Sequence, residues 1–492
     1  MKQILAFDFG ASSGRAMLGS FDGGKLALRE LHRFGNDPVM LLGTLYWDLP
    51  RLLFEIRHSI GLAARAGGFD AIGIDTWGVD FGLLDEYGEL IGNPVHYRDK
   101  RTLGFDEEVF QTLPRQQLYA ATGIQHMRIN TVYQLAYLAK YRPCTITRAK
   151  RLLLMPDLLA YLLTGQERCE LTNASTTNLW NPQTMDWAQD ILSALGIPEK
   201  LFAPVIRPGE QYGLLREDIC AECGCEAVPV YAVATHDTAS AVVSVPTLDD
   251  DYIYISCGTW SLMGIETPEP LLTKDAQNAN FTNEIGYGGN IRFLKNIMGL
   301  WLIQESRRQW LREGHSVSYA ELEQDALRAA PFLCFIDPDA PDFETPGDMP
   351  ARVRAFCART GQHVPKTRGE VMRCIYQSLA LKYRTTLTLL ESITERTFSR
   401  IHMVGGGIKD TFLCRMTADC CGIPVHAGPA EATALGNMAA QLIGLGEIAG
   451  LGQAREIIRR SVEVKVYLPE SREHWNRAYT QYQKVLRESP KE

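Results

Sequence analysis

"ILAFDFGASSGRAMLG" (Ile4–Gly19) decides how the rest of the chain is read. Four apolar residues lead into Asp8, a Gly/Ala/Ser segment follows, and a second apolar run opens after Arg15. The pattern predicts strand, tight turn, strand. "YIYISCGTWSLMGIE" (Tyr252–Glu266) repeats the scheme, with Gly258 and Thr259 at the turn. Small residues, hydroxyls and free backbone N–H groups are the chemistry of an anion cradle. Gly10, Gly14 and Gly258 let a backbone come close to phosphate oxygens. Either loop alone is also an ordinary hairpin turn. Two of them, at the same place in two halves, point to a pair of loops gripping a polyphosphate.

Outward from these loops the chain alternates short apolar strands with longer helical patterns, which predicts an α/β architecture. Strands are expected at Ile4–Phe9, Ala16–Gly19, Ala71–Asp75, Phe81–Leu84 and Val228–Ala234. Helical periodicity marks Leu49–Ala66, Val132–Lys140 and Met372–Ile393. With 492 residues, two large domains are expected. "VPTLDDDYIYIS" carries a proline and three acids between apolar runs, so the domains divide into 1–244 and 245–492. "DPDAPDFETPGDMP", rich in Pro and Asp, reads as an exposed loop. The final amphipathic run, with Trp475, Tyr479 and Tyr482, packs one face on a domain that the sequence does not identify.

Composition removes several classes. The net charge of −8, from 58 acidic and 50 basic residues spread without long blocks, is no nucleic-acid footprint. The N-terminus lacks a signal-peptide core, and "LLLMPDLLAYLL" is too short and interrupted to span a bilayer. A cytoplasmic protein without membrane or nucleic-acid partners is expected; nothing in the chain decides between monomer and homodimer. Twelve cysteines are too few for a disulfide scaffold. Neither Cys220, Cys223 and Cys225 nor Cys414, Cys420 and Cys421 has a fourth ligand at zinc spacing.

No G-x-x-x-x-G-K-[ST] is present. "HMVGGGIKDTF" has a strand, glycines and a helix start, but a dinucleotide fingerprint from Gly405 would need glycine where Asp410 stands. Glycines at a helix start still suit a nucleotide contact. "PVYAVATHDTASAVVSV" (Pro229–Val245) places Asp237 between a strand and a second apolar run. The residues leave two readings open there, a helix N-cap and a catalytic base.

Taken in order, "DFGASSGR", "GIDTWGVDFGLLD", "THDTASA", "SCGTWSLMG", "LKNIMGLW" and "VGGGIKD" resemble the FGGY family of carbohydrate kinases. From end to end the chain is similar to the branch acting on L-rhamnulose. The resemblance implies a two-domain actin-like (ribonuclease H-like) fold with ATP in a cleft between domains. It implies ATP- and Mg²⁺-dependent phosphorylation of the 1-hydroxyl of the ketose, in L-rhamnose catabolism. L-Fuculose or L-xylulose as the substrate, or a sugar sensor without turnover, stay open alternatives.

The resemblance places the base at Asp237 and substrate contacts at Gly78, His236, Thr238 and Asn296. It places the nucleotide at Ala11, Ser12, Ser13, Gly14, Arg15, Thr259, Gln304, Gly405 and Gly406, with Gly407 beside them. Asp8 would face the metal through water, since Mg²⁺ keeps much of its hydration; a strand-end Asp capping its own turn is the alternative. Arg15 reads equally as an exposed strand residue. Trp77, Asp75 and Asp80 read as a sugar platform or as core packing, and Arg98, Asp99 and Arg101 as surface ion pairs. Related kinases often carry Asn where Asp410 stands, which leaves the adenine contact there open.

Overall fold

The computed structural model describes residues 1–488. In chain order, its first sheet uses β1 (Lys2–Phe9), β2 (Ser13–Phe21), β3 (Leu26–Gly35), β4 (Ala71–Thr76), β5 (Gln211–Leu214) and β6 (Pro229–Tyr231). Helices α1 (Leu49–Arg65), α2 (Thr131–Tyr141) and α3 (Asp237–Val243) belong with it. Then come β7 (Ile253–Cys257), β8 (Trp260–Thr267), β9 (Thr282–Ile285), β10 (Ile291–Met298), α4 (Trp301–Arg312) and α5 (Arg368–Thr394). The last elements needed are β11 (Ile401–Val404), α6 (Thr411–Cys421), β12 (Val425–Ala427), α7 (Ala432–Gly444), β13 (Lys465–Tyr467) and α8 (Arg472–Glu488). No helix among the described residues is long and apolar enough to cross a membrane.

The chain forms two compact units, neither of them one continuous stretch. The first gathers Met1–Leu248, Glu266–Leu294 and Glu431–Val462; the second gathers Asp249–Ile265, Lys295–Ala430 and the described residues from Glu463 on. Each is built on the same strand order. In the first unit it runs β2-β1-β4-β6-β5, with β3 added outside β2. In the second it runs β8-β7-β11-β12-β13. The pairings match as well: an antiparallel hairpin, two parallel neighbours, then an antiparallel edge. The echo between the two quoted loops is therefore the visible part of a repeated sheet.

Most expected elements form with ends shifted by a few residues. The strand expected over Val228–Ala234 is ordered as β6 for only three residues, and the run after it is helix, not strand. "DPDAPDFETPGDMP" is not an exposed loop. Lys382 is buried and holds both Asp337 and Asp339 at 2.8 Å, and Phe343 is in the core. The Pro/Asp composition misled because its acids face a buried lysine on α5. Asp99 and Arg101 do not form a surface ion pair either: Asp99 is buried, accepts from the Leu45 and Arg101 N–H groups, and Arg101 bonds Gln134. The C-terminal α8 packs in the second unit against α5 and α6, burying Trp475, Ala478, Tyr482 and Val485. Tyr479 stays at the edge of that face, under the Arg384 guanidinium at 4.3 Å.

Two features of the first unit control its packing. In α7, a Cβ at Gly436 would lie 1.8 Å from the Ser240 carbonyl oxygen of α3, so glycine sets how closely the two helices approach. Under β4, Asp80 is 1 % exposed. Its Oδ2 accepts from the Trp47 indole at 2.6 Å, the Trp77 indole at 3.1 Å and the Tyr97 N–H at 3.1 Å, and its Oδ1 from Gln134 at 3.1 Å. Burial outweighs these donors and pushes the Asp80 carboxyl up to about 6.

Both features make predictions. Alanine usually gains about 0.5–1 kcal/mol over glycine inside a helix. Gly436→Ala will instead lose about 2 kcal/mol or more through overpacking, whereas Gly452→Ala, in helix Leu451–Ser461 with nothing within 4 Å of the added Cβ, will not. Urea unfolding of the two variants checks the contrast. For Asp80 the folded state holds its proton more tightly than the unfolded chain, so this stability contribution is complete below pH 4 and lost as pH rises through about 6. Relative to Asp80→Asn, the protein will lose on the order of 3 kcal/mol across that window. Parallel stability curves for the two proteins between pH 4.5 and 7.5 would refute the assignment.

Candidate functional site

Parallel pairing brings three strand ends of the first unit to one edge. Asp8 of β1 is the register partner of Asp75 of β4. Beyond the last pair of β6, the Thr76 N–H donates to the Thr235 carbonyl at 2.9 Å, and Thr76 bridges to His236. Asp237 comes next. Ligands of parallel α/β sheets gather at this carboxyl edge, where loops replace strand pairing.

The N-cap reading of Asp237 is not what forms. His236 occupies the cap position of α3, no side chain caps the helix, and Asp237 stands in its first turn. The Asp237 Oδ1 accepts from the Thr238 hydroxyl at 3.1 Å, and its half-buried side chain keeps some exposure. Burial raises its carboxyl above the ordinary range; the nearby His236 opposes the rise and the Asp8 charge adds to it.

The segment expected to cradle phosphate is a tight turn closed by the Gly10 N–H on the Ser13 carbonyl at 2.9 Å. Asn36 props it from β3's end, donating from its side chain to the Gly10 carbonyl at 2.9 Å and from its backbone to that of Ser12 at 3.2 Å. Ala11, Ser12 and Ser13 are half-buried. A Cβ at Gly14 would strike the Phe34 ring at 2.3 Å, so this glycine answers packing. Arg15 is no exposed strand residue. It is clamped between Asp8 and Glu431, whose charges raise its already high pKa against the opposing effect of burial.

Asp75 is fully buried beside these charges. The Asn437 amide donates to its Oδ2 at 2.6 Å, while Gln441 ties Asn437 (2.7 Å) to the Leu5 carbonyl (3.1 Å). Burial, and then the charge of Asp8, hold the Asp75 carboxyl well above the usual range. Its Oδ1 is buried without a hydrogen-bond partner among the described residues. Carboxylate oxygens at one sheet edge, one of them unsatisfied, fit a hard divalent cation such as Mg²⁺.

The residues expected at the sugar sit on rigid supports. A Cβ at Gly78 would meet the Thr176 hydroxyl at 3.0 Å, so the space beside it is bounded by Thr176. Its neighbour Val79 has φ +68°, held by donation to its carbonyl from Thr131 at 2.7 Å and Gln134 at 3.3 Å. Trp77 is 5 % exposed, its indole committed to Asp80. Glu170, wholly buried, accepts from the backbone and hydroxyl of both Thr172 and Thr235, which fastens the turn ahead of His236. His236 in turn contacts Glu284 of β9 and Arg292 of β10. Sequence reasoning missed Glu170, Glu284, Arg292, Glu431 and Asn437. None lies in a local pattern with the residue it serves.

The second unit carries the other expected contacts. The Gly258–Thr259 turn closes by the Gly258 N–H on the Trp260 carbonyl at 2.8 Å. The start of α4 docks on it, with the Leu300 N–H on the Gly258 carbonyl at 3.0 Å and the Trp301 N–H on that of Thr259 at 3.1 Å. Thr259 and Gln304, both expected at the nucleotide, meet here: the hydroxyl donates to the amide oxygen at 3.3 Å. Gly405 has φ +88°, and a Cβ at Gly407 would strike the Cys257 sulfur at 2.3 Å, while Gly406 faces open space. Asp410 caps α6 through the Leu413 N–H at 2.9 Å and accepts from the Tyr376 hydroxyl; burial pushes its carboxyl up to about 6. Asn296 lies on β10 in this unit. Among the described residues, Cys334, Cys357 and Cys374, which the sequence did not single out, are all buried with sulfurs within 4.8 Å of one another.

Comparison with known proteins agrees with this construction. The N-terminal domain model of the FGGY family of carbohydrate kinases matches residues 3–244, and its C-terminal domain model matches residues 253–445. A rhamnulokinase of Bacteroides thetaiotaomicron is 43% identical over 489 residues, covering 99% of this chain and 100% of that one. One of Bacillus subtilis is 40% identical over 466 residues, covering 94% and 95%. In fold the chain is similar to a ligand-bound xylulose kinase of Lactobacillus acidophilus, with TM-score 0.80, 17% identity and coverage of 99% and 96%. It is also similar to the ADP-bound glycerol kinase of Plasmodium falciparum, with TM-score 0.79, 13% identity and coverage of 100% and 99%. A two-domain α/β sheet repeat, ending its first half on a carboxylate edge and matched by both domain models, belongs to the FGGY family of carbohydrate kinases.

Proposed function

We propose that this chain transfers the γ-phosphoryl group of ATP to the 1-hydroxyl of L-rhamnulose, giving L-rhamnulose 1-phosphate and ADP. The observation that carries the mechanism is Asp237: a carboxylate at the carboxyl edge of the sheet that stands in the first turn of α3 and not at its cap position. Near-full-length identity to chains named rhamnulokinase supports the choice of sugar.

Asp237 orients the sugar 1-hydroxyl and takes its proton as the new P–O bond forms and the bond from the γ-phosphorus to the bridging oxygen breaks. Its raised pKa suits the acceptor role, because the proton moves to a group already less acidic than a free carboxylate. Gly78, His236 and Thr238 hold the ketose, together with Asn296. Ala11, Ser12, Ser13 and Gly14 offer backbone donors to phosphate oxygens, and Thr259, Gln304, Gly405 and Gly406 receive the nucleotide. Asp8 and Asp75 would hold Mg²⁺, Asp8 through water, and the ion when bound offsets phosphate charge. Arg15 adds a positive charge to the same edge, though its present partners are Asp8 and Glu431.

Asp237→Asn keeps the side chain's shape and removes the proton acceptor. ADP release with L-rhamnulose is expected to fall by roughly 10²–10⁴-fold in a folded variant. Full activity would remove Asp237 from the mechanism, and turnover only with another ketose would change the substrate but keep the base.

A further inference from the structure

Glu284 and Arg292 are direct cross-strand partners on the β9–β10 hairpin, and the side chain of Arg292 is 0 % exposed. A buried arginine is tolerated only when its charge is met. Glu284 meets it: the Arg292 Nη2 lies 2.9 Å from Glu284 Oε2. Burial pushes the Glu284 carboxyl up, but the Arg292 charge beside it holds it down at about 2. The third member of the group is His236, whose Nδ1 is 3.1 Å from the Arg292 Nη2 and 3.2 Å from Glu284 Oε2. Its other ring nitrogen, Nε2, is 3.5 Å from Asp237 Oδ1.

Guanidinium has donors only. At 3.1 Å, in hydrogen-bonding geometry, the Arg292 N–H calls for a bare lone pair on Nδ1, and Glu284 Oε2, 3.2 Å from the same nitrogen, already accepts from Arg292 at 2.9 Å. A proton on Nδ1 would set two N–H groups against each other. We propose that Arg292, anchored by Glu284, is a positioning residue that fixes the tautomer of His236, with the ring proton on Nε2. His236 then presents an N–H donor beside Asp237. That donor suits an oxygen of the bound ketose next to the attacking hydroxyl, leaving Asp237 as the acceptor for the hydroxyl itself. The division of labour rests on Asp237 being the base; the tautomer does not.

Two measurements test this. In the full chain labelled with ¹⁵N-histidine, long-range imidazole correlations, assigned by their loss in His236→Gln, are expected to show an unprotonated Nδ1 and a protonated Nε2 for His236. A protonated Nδ1 overturns the proposal, whatever the kinetics. In folded Arg292→Met, kcat/KM for L-rhamnulose is expected to fall about 10- to 100-fold, with the KM for ATP unchanged within about twofold and partial recovery in Arg292→Lys, which restores a donor. Wild-type kcat and KM for sugar in Arg292→Met overturn it. If that variant does not fold, the wild-type imidazole spectrum still decides. If the wild-type chain fails to phosphorylate L-rhamnulose, the functional reading falls, and the tautomer is judged on the spectrum alone.

Discussion

Parallel pairing of β1 with β4 and of β4 with β6 is the constraint from which the first unit follows. It forces the three strand ends to one edge and so brings Asp8, Asp75 and Asp237 into one electrostatic field. Carboxylates that share a site resist ionising together. The raised pKa values of Asp75 and Asp237 both include the Asp8 charge among their causes. The chain relieves the crowding with partners of two kinds. Arg15 comes from the adjacent hairpin strand as Asp8's register partner, and Asn437 reaches Asp75 from α7, 362 positions along the chain. An amide donor on Asp75 leaves its negative charge unbalanced, which is the condition a cation would satisfy.

The repeated sheet puts a Gly-containing turn, at Gly10 and at Gly258, after the first strand of each unit, and the glycines near these turns and after β11 answer different neighbours. Gly14 makes room for the Phe34 ring and Gly407 for the Cys257 sulfur, so each is fixed by packing inside its own unit. Gly406, with nothing within 4 Å of an added Cβ, is the one whose missing side chain leaves open space. A run of three glycines thus combines two structural requirements with one surface that a ligand could approach. The two turns are also braced differently, the first by an Asn36 side chain and the second by the backbone of α4.

What was legible in the sequence was local. The strand–turn–strand echo, the long helical runs and the isolated acid at Asp237 all depend on residues within one turn or strand of each other. The cap-or-base question at Asp237 could not be closed in sequence, because it hinged on a helix boundary known only to within a residue or two. The structure puts His236 at the cap position and sets Asp237 in the first turn of the helix, where its carboxylate accepts from Thr238. Composition misled where a distant partner reversed its meaning, as Lys382 does for Asp337 and Asp339. Glu284 and Arg292 were invisible for the same reason. They look like ordinary alternating strand residues, and only the fold turns them toward His236, 48 and 56 positions earlier.

Val79 shows how such distant ties reach the site. A β-branched residue at φ +68° is costly, on the order of 1–3 kcal/mol, and persists only where its surroundings over-determine it. Here they do. Thr131 and Gln134 of α2 bond the Val79 carbonyl, and Asp80 beyond it is gripped by two indoles, a backbone N–H and Gln134. On the other side, the Thr76 N–H ties β4 to the Thr235 carbonyl just ahead of His236 and Asp237. Gly78 therefore lies in a strained turn fixed at both ends, with one end joined to the segment that carries Asp237. A buried carboxylate as crowded as Asp80 is a poor choice for stability alone, since burial disfavours its charge. It makes sense as the anchor that holds the strained turn at Val79 in one position.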